Sequence, residues 1–151
     1  MAKDEGERIG VVGALVRSAF LVNTAYAEAA HAYGLTPQQG QLLCVLMPGP
    51  TGMGELGAKL GLAKSSLTGL VDRTSRLGFV GREADPDDGR AVRVVLTEEG
   101  ARLADAFYTE ACRRIDLLPS GLDGPERERL AELLGRVVVD NEAPEVFADR
   151  R

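Results

Sequence analysis

Residues 51–97 read TGMGELGAKLGLAKSSLTGLVDRTSRLGFVGREADPDDGRAVRVVLT, and within them a helical apolar rhythm gives way to a two-residue one. The first part predicts two short helices, Thr51 to Leu60 and from Lys64 onward, with Gly61 in the turn between them. A short turn containing glycine lets two helices cross steeply, which is helix-turn-helix spacing. In the second helix Leu67, Leu70, Val71, Thr74 and Leu77 recur at the three-and-four spacing of one buried face. The opposite face carries Lys64, Ser65, Ser66, Thr68, Gly69, Arg73 and Arg76. Small hydroxyls, a glycine and cations let a helix backbone approach a polyanion, and suit both phosphates and base edges.

Past Gly78, Phe79 to Glu83 and Ala91 to Leu96 read as two strands joined by Asp85-Pro86-Asp87-Asp88-Gly89-Arg90, a run of turn formers. This predicts a β-hairpin wing with Arg90 at its tip. Asp88, two residues earlier across a glycine, is placed to hold the Arg90 guanidinium extended, in a pose suited to a minor groove.

The sequence at this point resembles the multiple-antibiotic-resistance regulator (MarR) family of winged-helix repressors. The resemblance rests on Leu62-Ala63-Lys64-Ser65-Ser66-Leu67-Thr68, on Val71-Asp72-Arg73, and on Asp88-Gly89-Arg90 followed by Leu96-Thr97-Glu98-Glu99-Gly100. The last two are the more specific, an Asp-x-Arg wing and a Leu-Thr-x-x-Gly helix start at the family's spacing. One departure stands out: Ala63 occupies a position where many relatives carry a capping serine or threonine.

Outward from this centre the chain reads as helices. One long apolar stripe runs from about Glu7 to Tyr33 through Ile9, Val12, Val16, Phe20, Tyr26 and Ala30, until Gly34 stops it. Such a helix is too long for a small winged-helix core to cover, so its remaining face is expected to pack on a second subunit. Thr36-Pro37-Gln38-Gln39 is a helix start with a capping box and a proline in the first turn, and Pro48-Gly49-Pro50 ends that helix. Thr97 caps a further helix to about Leu118 that opens with Glu98 and Glu99, carboxylates at the positive end of its dipole. Its apolar contacts include Leu103, Ala106, Phe107, Cys112 and Ile115. A last helix follows Asp123, with Leu130, Leu133, Leu134, Val137 and Val138 as a seam that resembles the family's dimer helix. The polar stretch from Asn141 to Arg151 reads as a flexible tail.

The expected fold is therefore mainly α with a small β-hairpin, an α+β chain of one domain over residues 1–151. Residues 36–97 form the winged helix-turn-helix lobe, and residues 7–34 and 98–140 the dimerisation helices. At 151 residues and 44% hydrophobic content the chain can bury a core without disulfide or metal support. No apolar run is long enough to span a bilayer, and the charged start MAKDEGER lacks a secretory signal's apolar segment, so a cytoplasmic protein is expected.

The net charge of -5 argues alone against nucleic acid, but its distribution reverses that. From Lys59 to Arg93 seven Lys or Arg stand against five Asp or Glu, whereas residues 94–151 carry eight against thirteen. An acidic body with a basic stripe can orient on DNA.

Enzyme readings find little to work with. Gly52-Met53-Gly54-Glu55-Leu56-Gly57 matches a dinucleotide-binding fingerprint letter for letter. Pro48-Gly49-Pro50 precedes it in place of a strand, and the acid at the right distance, Asp72, falls within a helix. His31 is the only histidine, and Cys44 and Cys112 show neither metal-ligand nor redox-pair spacing, so no cofactor or metal is expected. The resemblance implies a homodimer on a pseudo-palindromic double-stranded operator, controlled by a small aromatic or phenolic ligand in a cleft between dimer helices and winged lobe. Tyr26, His31, Cys44 and Phe107 are the candidate cleft residues. The alternatives are a winged-helix protein-interaction module without DNA and a regulator that senses oxidants through a thiol.

Overall fold

The computed structural model describes residues 8–147, so the expected helix start at Glu7 and the end of the tail, residues 148–151, lie outside the described residues. Six helices and three short strands follow in the order α1 (Val11–Ala32), α2 (Pro37–Leu46), β1 (Thr51–Gly52), α3 (Met53–Leu60), α4 (Lys64–Arg76), β2 (Val80–Ala84), β3 (Val92–Leu96), α5 (Glu98–Leu117) and α6 (Gly124–Asp140). The chain is mainly helical α+β, as the two periods in residues 51–97 predict.

The helix starts are decided locally. Thr36 accepts the Gln39 N–H while the Gln39 side chain accepts the Thr36 N–H, and Asp123 and Glu126 repeat this reciprocal pair at α6. Helix α1 begins at Val11, later than the apolar stripe suggests, with Gly10 as an N-cap that offers no side chain. Gly61 ends α3 in the left-handed region at φ 64°, the conformation that glycine adopts without steric cost.

The sheet corrects the sequence reading at one point. Thr51 and Gly52 do not open a helix. They pair antiparallel with Val94 and Arg93, making β1 the third strand in the order β1-β3-β2. Two residues after Pro50 are too few to show a periodicity, and the pairing is created only when the hairpin folds back. In the hairpin itself Val80 faces Leu96 and Arg82 faces Val94.

The core lies between α2, the inner faces of α4 and α5, and the sheet: Leu42, Leu43, Leu46, Leu56, Leu67, Leu70, Val71, Val94 and Phe107 are all buried. Each such side chain contributes about 1.5–3 kcal/mol of transfer free energy. Leu77 breaks from its expected face: at the C-cap of α4 it is half exposed.

A close approach explains the Leu-Thr-x-x-Gly motif. Thr97 accepts the Gly100 N–H and donates its hydroxyl to the Gly78 carbonyl, while its own N–H donates to the Phe79 carbonyl. A Cβ on Gly100 would lie 1.8 Å from that same Phe79 oxygen. The first turn of α5 is thus pressed against the start of β2, and no side chain fits between them.

The outer helices differ. Helix α1 buries only Ala25, Ala29 and Ala30, leaving Val11, Val12, Val16 and Phe20 exposed, and α6 buries no residue at all.

Candidate nucleic-acid interface and ligand cleft

Helix α4 has its buried face fixed by Leu67, Leu70, Val71 and Thr74. Lys64, Ser65, Ser66, Thr68, Arg73 and Arg76 consequently stand together on the exposed side, with Gly69 half buried among them. Ala63 caps this helix with no side-chain hydrogen bond, so the N–H groups of its first turn have no side-chain partner from the cap. Thr68 donates its hydroxyl to the Lys64 carbonyl (2.8 Å), which turns part of its polar capacity inward. The Arg73 guanidinium lies across Gly69, where a Cβ would meet Nη1 at 3.0 Å.

Asp72 is the one acid on this helix, and Arg82 of β2 pairs with it. The pair neutralises the carboxylate and ties the recognition helix to the wing. The sequence reading missed this partner because the two residues are brought together only by the turn at Gly78. Arg93 and Glu83, cross-strand neighbours in the hairpin, form a second pair.

The wing turn is built by its aspartates. Asp85 accepts the Asp87 N–H (2.9 Å) and Asp88 accepts the Arg90 N–H (3.1 Å), two successive side-chain turns closed by the Ala91 N–H on the Asp88 carbonyl. Asp88 therefore shapes the backbone, whereas the sequence spacing suggests that it holds the guanidinium. A carboxylate two residues away reaches the nearby N–H more readily than a side chain directed outward. Among the described residues Arg90 has no ion-pair partner, and it stands exposed at the tip.

The four candidate cleft residues separate. Tyr26 and Cys44 line one cavity of about 150 Å³ with Gln41, Val45, Lys59, Leu60, Val146 and Phe147. Phe107 is not in its wall: fully buried, it stacks behind Tyr26 with ring centroids 6.4 Å apart, and its ring covers Gly40. His31 is exposed and faces a different depression, beside Glu28 and Arg114. Arg114 bridges Glu28 of α1 and Glu110 of α5 (2.7 Å to each), and the Arg113 hydrogen bond, joined by that of Arg114, holds the Glu110 carboxyl down at about 2. Burial, with smaller contributions from Cys44, Cys112 and Tyr108, pushes the Tyr26 phenol up to about 12, so it stays neutral and able to donate across the physiological range.

A helix-turn-helix with a cationic exposed face, a hairpin wing ending in an unpaired arginine, and no acid left unneutralised on the reading helix define a winged-helix DNA-binding lobe. Comparison with known proteins agrees. The sequence profile of the MarR family matches residues 33–91. The HTH-type transcriptional repressor NicR of Pseudomonas putida is 33% identical over 87% of this chain and 84% of its own. The apo structure of MarR from E. coli superposes with a TM-score of 0.77 at 24% identity, over 88% of this chain and 99% of that one. NadR in complex with 4-hydroxyphenylacetate superposes with a TM-score of 0.69 at 23% identity, over 90% and 97%. The chain belongs to the MarR family of winged helix-turn-helix, DNA-binding transcriptional regulators.

Proposed function

We propose that the protein is a homodimeric repressor, acting in the cytoplasm, that binds a pseudo-palindromic operator and is released by a small aromatic or phenolic ligand. The observation that carries the dimer is the exposed apolar surface of α1 and α6, including Phe20, Leu134, Val137 and Val138, on two helices of which one buries three alanines and the other no residue. A two-fold axis through these helices sets two α4 faces side by side, for successive major grooves about 34 Å apart.

In each half-site Ser65, Ser66, Thr68 and Arg73 contact base edges or phosphates, with Gly69 allowing the backbone close. Lys64 and Arg76 neutralise phosphate. Arg90 enters the flanking minor groove on the turn that Asp88 shapes. Because the Thr68 hydroxyl hydrogen is directed to its own helix, its methyl group is suited to a thymine methyl.

The ligand reading is supported by the cavity beside Tyr26, where a ring can stack and where Gln41 and Lys59 supply polar ends. Such a ligand acts only through its differential affinity for the DNA-competent spacing and another. The testing experiment is fluorescence anisotropy with a duplex from the gene's own upstream region, across a salt series and with light scattering of the complex. A dimer on the duplex and affinity falling steeply with salt are expected. A monomer indifferent to DNA at low salt would sink the proposal in favour of an interaction module.

A further inference from the structure

The tail does not leave the molecule where its polar composition ends. Asn141 caps α6, and seven residues past Asp140 the chain turns inward to place Phe147 on the core cluster. Its ring meets Tyr26 edge-on with centroids 5.3 Å apart and packs on Tyr108 at 4.6 Å with planes tilted by 31°. The backbone of Phe147 holds φ 57°, a left-handed conformation that an aromatic residue adopts only where surrounding contacts offset its steric cost. Phe147 is the only aromatic residue after Tyr108, so this end of the chain carries one ring and it lies against the two tyrosines.

The same ring lines the cavity shared by Tyr26, Gln41, Cys44 and Lys59. At about 150 Å³ the free space takes no more than an unsubstituted benzene ring and is too small for a ring bearing polar substituents, being below the 300 Å³ or more typical of ligand sites. We propose that Phe147 is an internal plug: it occupies the ring-binding end of this pocket, and an aromatic ligand must displace it to bind. This rests on the reading of the cavity as the effector site and adds its regulation. Apparent ligand affinity is then the intrinsic affinity reduced by the fraction of molecules with the tail out. Displacement also frees the segment that joins the pocket directly to α6, so ligand occupancy is felt at the exposed seam of that helix.

The test compares the full chain with Phe147→Ala in two measurements. The first needs no ligand: alkylation of Cys44 by N-ethylmaleimide, followed by mass spectrometry, should run roughly tenfold faster in the variant, the loosening expected when two ring contacts are removed. Cys112, which does not line the cavity, should keep its rate. The second is calorimetric titration with 4-hydroxyphenylacetate, which should bind the variant roughly tenfold more tightly. An unchanged Cys44 rate, or affinity equal to or weaker than that of the full chain, overturns the plug and leaves the effector reading standing. Binding to neither protein while Cys44 still reacts faster in the variant shows a ring that only covers the cavity, and overturns the effector reading and the plug with it.

Discussion

The two outer helices are richer in apolar residues than the winged lobe, yet they have buried far fewer of them. In the lobe, α2 buries Leu42, Leu43, Cys44, Val45 and Leu46, and α4 and β3 close over them with Leu67, Leu70, Val71 and Val94. Along α1 and α6 the same kinds of side chain, Val12, Phe20, Leu134 and Val138 among them, stand 38–74% exposed. The lobe has completed its core within one chain. The outer helices have a regular apolar stripe that the described residues of their own chain leave largely uncovered. The contrast teaches that amphipathic periodicity reports which face is to be covered and not what covers it; under the proposed dimer the lobe would read DNA and the outer helices would set the distance between two readers.

The strongest way to break this contrast is to charge the uncovered seam. Leu134→Asp together with Val138→Asp should leave the lobe folded but convert the dimer to a monomer by light scattering. Operator affinity should fall on the order of a hundredfold or more, because the second half-site contact loses its effective concentration. An unchanged dimer would show that α6 is not the interface.

Where the lobe meets α5, Gly100→Ala attacks the tightest site among the described glycines. Its Cβ has a backbone oxygen at 1.8 Å and no flexible side chain to push aside, so a loss of about 3 kcal/mol or more is expected in urea unfolding. Unaltered stability would mean that α5 can shift away from β2 freely.

Arg90→Ala sharpens the comparison from the DNA side. Fold and dimer should be untouched, operator binding should weaken roughly tenfold, and the slope of log affinity against log salt should fall by about one. A normal isotherm and slope would take the wing tip out of the interface.

The smallest effect concerns Tyr26, where the lobe and α1 meet. Its folded pKa of about 12 lies above the usual 10.0, so its contribution is fully present below pH 10 and is lost as pH rises toward 12. After allowance for partial exposure this amounts to about 1 kcal/mol, visible as a steeper alkaline decline in unfolding temperature than in Tyr26→Phe. Parallel pH profiles for the two proteins would assign the alkaline loss elsewhere.

Much of the site was legible in the linear chain because its signals are local. The exposed row from Lys64 to Arg76 follows from helical spacing, and the turn at Asp85 to Arg90 from residue chemistry. Asp88 shows the limit: its spacing suggests a grip on the Arg90 guanidinium, whereas its carboxylate reaches the Arg90 N–H. The Asp72–Arg82 pair, the strand at Thr51 and Gly52, and the separation of His31 from Tyr26 were not legible, since each depends on how distant segments meet. The tail shows the same limit. Its polar composition reads as a free end, but within its described part Phe147 lies against Tyr26 and Tyr108.

By itself the sequence determined the elements and their faces: period, caps and glycine stops act over three or four residues, and those interactions are present wherever the segment goes. Tertiary structure alone decided which charges are neutralised, why position 100 must lack a side chain, and which ring fills the space beside Tyr26. Those outcomes depend on distances between parts of the chain that no local pattern encodes, and packing settles them only when every segment is in place.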